Sequence, residues 1–368
     1  LLLLSVRSDI GGGPRHMFLL LRILKSVDPT LKIYVAAPGV GHFASRYQAF
    51  AQDFMSVPFR AVNPITVFRM LRFCRRNHIN VIHSHGRGAG FYARILYLFG
   101  YKVLHTFHGI HQDKSFFGRL KFLIDYWLRN LIHHYICVSK SEQDIGLHER
   151  LCTLDNSTVI LNGIEVEELS LSFEKLKREE CRRRFNLSSD RKVIGVLARN
   201  DHAKGIELLL ENFCYFHKKY PDQTPLLLIA GGGYPTDKCD RFLQTLNLRD
   251  HVRFVGEVRD QLPFLRAIDV YVSNSRWEGL PLSVLEAMSV KVPCLLSDAV
   301  GHRDLIQDGV HGHLFPLKNP EIFSRKLLSL LENEDKILVE KAFALVCKKF
   351  KLVGMASQIS ELYKKFEL

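Results

Sequence analysis

Short apolar runs that pass through a turn into a helix recur along this sequence, and they recur in two series. In the first series, Leu1–Val6, Leu31–Ala37, Val81–His85, Val103–Phe107, Tyr135–Ser139 and Thr158–Leu161 read as strands. Helices are expected over Arg15–Lys25, Pro64–Asn77, after Gly86–Gly90 and over Gly118–Asn130, with Ser139 and Ser141 capping another. In the second, Lys192–Leu197, Leu226–Ala230, Val252–Phe254, Val270–Val272 and Val292–Leu296 read as strands. Gly205–Lys219 and Asp237–Leu246 read as helices between them. Strands alternating with helices imply parallel sheets covered on both faces. The expected fold is therefore α/β, with two parallel-sheet domains. Residues 166–190 are charge-rich without a clear strand and read as a connection between domains 1–165 and 191–345. A terminal helix is expected within 346–368, where Ile359, Leu362, Tyr363 and Phe366 share one face.

The chain's 368 residues suffice for two ordinary domains, and 47% hydrophobic residues exclude a disordered chain. The formal charge is +13, and residues 1–165 carry +10 of it, with 20 Lys+Arg against 10 Asp+Glu. This excess favours an anionic partner for the amino-terminal half: a membrane surface, nucleic acid or a phosphorylated substrate. The eight cysteines are scattered and form no C-x-x-C pair, so reduced thiols and a cytoplasmic setting are expected. No apolar run approaches the ~20 residues that span a bilayer. Leu1–Val6 is too short for a signal segment. Because the sequence does not begin with methionine, its natural start is expected upstream.

Four stretches carry chemistry. Gly11–Gly12–Gly13 between a strand and a helix makes a phosphate-type loop, because glycine lets a ligand approach the backbone closely. It is not a dinucleotide fingerprint, since the third glycine would fall at His16, nor a P-loop, since no Gly-Lys-Ser/Thr follows. Arg199 and Lys204 lie in one loop ahead of a helix, and together they can neutralise a diphosphate. Cations at a helix start oppose its dipole, so a further anion is expected nearby. Glu278 precedes Gly279–Leu280–Pro281–Leu282, and Glu286 follows on an apolar helix. Two carboxylates so placed can hold different parts of one extended ligand, with phosphate at the helix start between them. A glycosidase-like pair is the alternative, but it leaves Arg199 and Lys204 without a role. Finally, histidines gather at 83, 85, 105, 108 and 111. His105, His108 and His111 recur every three residues, but His105 falls inside a strand and points differently from His108, so no metal site is expected. His108, at a strand's carboxyl end beside Gly109, reads instead as a substrate contact.

With these residues in place, the chain resembles the retaining GT-B glycosyltransferases of the family-4 type over nearly its whole length. The family's E-x7-E motif appears as Glu278 to Glu286. Its Arg/Lys loop appears as Arg199 and Lys204–Gly205, its glycine loop as Gly11–Gly13, and its His-Gly as His108–Gly109. Val138–Ser139, Asn162–Gly163–Ile164, Ala230–Gly233 and Val252–Gly256 add to the match. Two departures stand out: Ala198-Arg199-Asn200 where many relatives have Gly-Arg-Leu, and Val300-Gly301-His302-Arg303-Asp304 where many have Gly-Gly and an acidic residue.

The resemblance implies two Rossmann-like domains facing across a cleft, with the amino-terminal one taking the acceptor and the other the nucleotide-sugar, expected to be a UDP-sugar. It implies Glu278 on the donor sugar and Glu286 on the ribose. Arg199 and Lys204 would bind the diphosphate, with backbone N–H groups of Gly279, Leu280 and Leu282 and with Gly12 and Gly13. It places His108 at the sugar, the backbone near Val258 by the nucleobase, and the last helix back on the first domain. The implied reaction is metal-independent transfer with retention, by same-face attack in which the donor phosphate takes the acceptor's proton, so no cofactor is expected. The acceptor is expected to be a saccharide or lipid-linked saccharide of cell-surface polysaccharide or glycolipid synthesis. Arg69, Arg72, Arg75 and Arg76 would draw the protein to the inner face of an anionic membrane. Nucleic acid is not expected as a partner. A GT-B sugar-nucleotide epimerase and a non-catalytic nucleotide-sugar-binding subunit are the alternatives.

Overall fold

The computed structural model of the protein describes residues 1–59, 63–110, 116–234, 236–333 and 335–366. It has two units, one of residues 1–163 with the chain from Leu352 on, the other of Ile164–Lys351.

The first unit holds a parallel sheet of β1 (Leu2–Leu4), β2 (Tyr34–Ala37), β3 (Phe54–Ser56), β4 (Val81–His85), β5 (Lys102–Thr106), β6 (His134–Cys137) and β7 (Ser157–Val159). Their order is β3-β2-β1-β4-β5-β6-β7. Side chains alternate across the sheet. Leu1 and Leu3 enter the core on one face, among Leu20, Leu24 and Val35. Leu2 and Leu4 enter the core on the other, among Ala89, Tyr92 and Val103. Burial on both faces is why Leu1–Leu4 are apolar at every position.

The last helix, Leu352–Lys364, packs on the helix Gly12–Val27. Its Leu352, Met355, Ile359, Leu362 and Tyr363 join the Leu1–Leu3 core. It is distinct from the preceding helix Lys336–Lys349, which belongs to the second unit.

The second unit holds β8 (Val193–Leu197), β9 (Leu226–Ala230), β10 (Val252–Phe254), β11 (Val270–Ser273), β12 (Cys294–Ser297) and β13 (His313–Phe315), also parallel, ordered β10-β9-β8-β11-β12-β13. The stretch 166–190 is folded into this unit. Its helices Val166–Glu174 and Arg178–Arg184 pack on the helix Gln261–Ala267. The Arg178 guanidinium reaches Asp269 at 2.9 Å and donates to the carbonyls of Arg266 and Ile268.

Strand order locates the candidate sites. In each sheet the chain moves outward to one edge, then returns and continues on the other side of its first strand. Such reversals leave a crevice at the carboxyl ends of the two strands that flank them. In the first unit these strands are β1 and β4; in the second they are β8 and β11.

Candidate active site

In the second unit the loops leaving β8 and β11 are bound together. The β8 loop carries Arg199 and Lys204; the β11 loop carries Ser275 and Glu278. The Arg276 N–H donates to the Ala203 carbonyl at 2.7 Å, and the Arg276 guanidinium donates to the His202 carbonyl at 2.6 Å. Gly205 has φ +58°, and a Cβ there would collide with the Asn274 carbonyl oxygen, so only glycine lets the two loops approach this closely.

Lys204 Nζ donates to both oxygens of Glu278, at 2.7 and 2.9 Å. Ser275 Oγ donates to Glu278 Oε1 at 2.6 Å. Burial pushes the Glu278 carboxyl up, but the charges of Lys204 and His302 and the two side-chain donors outweigh it and hold the group below its ordinary value. The site thus presents an ionised carboxylate at neutral pH, paired with a partly buried ammonium. The anion expected near the Arg199–Lys204 loop is Glu278, together with Asp201, whose carboxylate lies 3.2 Å from the Arg199 guanidinium.

The helix Leu282–Ser289 begins four residues after Glu278, with Pro281 at its N-cap and no side-chain cap. Gly279, Leu280 and Leu282 are buried at this start, and Glu286, 2% exposed, lies on the helix one turn further in. The Arg199 side is held by the Gly231–Gly233 turn after β9: the Asn200 N–H donates to the Gly232 carbonyl at 2.9 Å, and the Asn200 amide donates to that of Gly233 at 2.8 Å. Val258 is half-buried in the loop between β10 and the helix Gln261–Ala267.

Two residues of the divergent Val300–Asp304 stretch support Glu278. The Glu278 N–H donates to the Val300 carbonyl at 3.0 Å. Gly301 has φ +84°, and a Cβ there would lie 2.7 Å from both Glu278 Cβ and the Glu278 carbonyl oxygen. Gly301→Ala is expected to shift the Glu278 loop and reduce turnover by about 10²-fold, the scale of a misplaced reacting group. Steady-state kinetics with a thermal-unfolding control measures this.

In the first unit, Gly12 and Gly13 form the first turn of the helix Gly12–Val27 after β1. A Cβ on Gly13 would meet His108 Cδ2 at 3.4 Å, so the glycine turn lies against the His108 ring. His108 follows β5 and is half-buried. The loop is fixed by Glu142, 1% exposed, which accepts from the Gly109 N–H at 2.6 Å and the Val138 N–H at 2.7 Å. Glu142 escaped the sequence reading, although Ser139 three residues earlier forms the first half of a capping box with it. Glu142→Ala leaves two N–H groups without this acceptor. The expected loss is about 2–3 kcal/mol of stability for such charge-assisted bonds, read by urea unfolding.

The histidine cluster differs in membership from the sequence pattern. His105 lies on the opposite face, its Nδ1 2.9 Å from Ser84 Oγ. His111 lies outside the described residues. His83 is bound to Tyr363 and Thr106 at 2.6 and 2.7 Å. The residues brought together with His108 are His16 and His85, one ring nitrogen from each of the three lying within 4.8 Å of the others.

Comparison with known proteins places the chain in a family. A family model described as glycosyl transferases group 1 matches residues 177–343, and one described as Glycosyltransferase Family 4 matches residues 10–168. An Escherichia coli UDP-Gal:alpha-D-GlcNAc-diphosphoundecaprenol alpha-1,3-galactosyltransferase is 24% identical over 81% of this chain and 78% of its own length. The putative glycosyltransferase EpsD of Bacillus subtilis is 26% identical over 81% of this chain and 80% of its own. Among solved structures, Anabaena HepE in complex with UDP and glucose superposes with a TM-score of 0.83 at 18% identity, covering 99% of this chain and 98% of that one. That likeness shows a shared GT-B fold.

Proposed function

The chain belongs to the glycosyltransferases of group 1 and family 4, and from that membership we propose that it transfers a sugar from a UDP-sugar, with retention, to a lipid-linked saccharide. The observation that carries the donor assignment is the Lys204–Glu278–Ser275 constellation at the start of the helix bearing Glu286. We assign Glu278 to the sugar and Glu286 to the ribose hydroxyls. Arg199, Lys204 and the N–H groups of Gly279, Leu280 and Leu282 are assigned to the diphosphate, the backbone near Val258 to the base, Gly12 and Gly13 to phosphate and His108 to the sugar.

As the glycosidic bond breaks, negative charge grows on the diphosphate, and fixed cations and N–H dipoles stabilise it. The phosphate oxygen takes the proton of the acceptor hydroxyl, which attacks from the face the diphosphate leaves. No protein base is required in this account, and no metal takes part in it.

The acceptor assignment is supported by the E. coli relative, which acts on a diphosphoundecaprenol-linked sugar. It is supported too by the helix Pro64–Arg76, which buries Thr66, Met70, Leu71 and Cys74 while exposing Ile65, Phe68, Arg69, Arg72, Arg75 and Arg76. Apolar side chains among arginines suit an anionic lipid surface. Among the described residues no helix is long and apolar enough to cross a membrane. The test incubates the protein with a UDP-sugar and a diphosphate-linked lipid saccharide, and reads the anomeric configuration of the product by NMR. An α-linked product from an α-linked donor supports the proposal. An inverted product, or epimerised UDP-sugar with no acceptor consumed, contradicts it. Co-sedimentation with anionic vesicles at low salt, reduced by Phe68→Asp, tests the membrane contact.

A further inference from the structure

We propose that His16, His85 and His108 form a binding site for a divalent transition-metal ion of the zinc class, in the β1/β4 crevice of the first unit. The three come from separate elements: the helix after β1, the last residue of β4, and the loop after β5. The register β1–β4–β5 places those carboxyl ends side by side.

The spacing is that of a coordination site, with one ring nitrogen of each histidine within 4.8 Å of the others. His108 Nε2 and His85 Nδ1 are 3.4 Å apart. That is longer than the usual N–H hydrogen bond. It matches the ~3.3 Å edge of a tetrahedron of nitrogens around Zn²⁺. Ring centroids lie 4.9 Å apart for His16–His108, 5.5 Å for His16–His85 and 5.6 Å for His85–His108. Three imidazoles around one tetrahedral ion place their centroids about 5 Å apart.

The lone pairs are also available. His16 Nδ1 is bonded to Asn162 Oδ1 at 2.9 Å, which fixes the ring and leaves Nε2 as its second, unprotonated nitrogen. His16 Nε2 is buried and makes no hydrogen bond. Buried polar atoms are rarely left so, and an ion or a bound water is the ordinary partner of such a nitrogen. An all-imidazole set selects zinc, cobalt, nickel or copper over magnesium or calcium. Three ligands leave a fourth position for water or an anion. His108 is the only half-exposed member and marks the way in.

If His108 also serves the donor sugar, metal and donor compete, and Zn²⁺ inhibits transfer. This consequence rests on the functional reading above; the site itself does not.

The test titrates metal-stripped protein with Co²⁺ and follows visible absorption. The expected result is an intense four-coordinate spectrum saturating at one ion per chain and erased by Zn²⁺. His16→Gln and His85→Gln, made separately so that one folding failure does not end the test, each abolish the band. Asn162→Ala, which keeps every ligand but releases the His16 ring, weakens Co²⁺ binding by about 10–100-fold. His133→Gln, outside the cluster, leaves it unchanged. A weak octahedral spectrum, or a titration that His16→Gln and His85→Gln do not alter, overturns the proposal, and the three rings are then a neutral hydrogen-bonded group. Inhibition by Zn²⁺ is scored separately: Co²⁺ binding without inhibition keeps the site and removes His108 from the donor.

Discussion

Glu278→Gln is expected to lower kcat/KM for sugar transfer by about 10²–10³-fold, the scale lost when one preorganised electrostatic partner of a transition state is removed. The amide keeps the size of the carboxylate and a hydrogen bond to Lys204 but loses the charge. Binding of UDP alone should change little, because the assignment puts Glu278 on the sugar. The split between catalysis and nucleotide affinity therefore checks the role as well as the residue. Acid titration adds a second readout. Glu278 has a folded-state pKa held below its ordinary value of 4.5, so its ionised form contributes stability that is present in full above that pH and lost as pH falls through the lowered value. The stability difference between wild type and Glu278→Gln should be flat above about pH 5 and shrink below it.

Lys204→Met is expected to lose a similar factor, about 10²–10³-fold, for a second reason. It removes a cation assigned to the leaving diphosphate, and it also leaves the Glu278 carboxylate without the ammonium that now donates to both its oxygens. Breaking such a pair from one side costs about 3–5 kcal/mol when the pair is buried, and less here because Lys204 is partly solvated. Lys204→Arg should restore stability more than turnover, since a planar guanidinium does not reproduce a compact point charge. The double variant Lys204→Met/Glu278→Gln should lose far less than the product of the two single losses, because the residues act as one unit. Kinetics with urea unfolding on the four proteins checks this.

Much of this arrangement was legible in the linear pattern. The runs around Leu226–Ala230 and Val270–Val272 are apolar at nearly every position, as strands buried on both faces must be. β3 and β13 escaped notice because they are three-residue edge strands of mixed polarity, Phe54-Met55-Ser56 and His313-Leu314-Phe315. The connection 166–190 was read from its charge, but charge does not show that Arg178 and Arg182 turn inward onto Asp269.

Within the site, Lys204 and Glu278 were each picked out, but on different parts of a ligand. Their bond follows from β8 and β11 being neighbours, with Ile194 opposite Val270, and that adjacency depends on strand order. His16 was noticed only as the residue that spoils a glycine motif. It meets His85 and His108 through the β1–β4–β5 register, which no local spacing reveals. Gly301 was seen as a departure from a family pattern; its positive φ and contact with Glu278 give the reason a glycine stands there.

The most direct test of the central claim is calorimetric titration of the protein with matched UDP-, GDP- and ADP-sugars, repeated on Glu286→Gln. The account predicts saturable binding of UDP-sugars, weaker binding of the other two classes, and a loss of about 10–100-fold in UDP-sugar affinity in the variant, the worth of a charged hydrogen bond to the ribose. Binding of none of the three, preference for a GDP- or ADP-sugar, or UDP-sugar affinity unchanged by Glu286→Gln would contradict it.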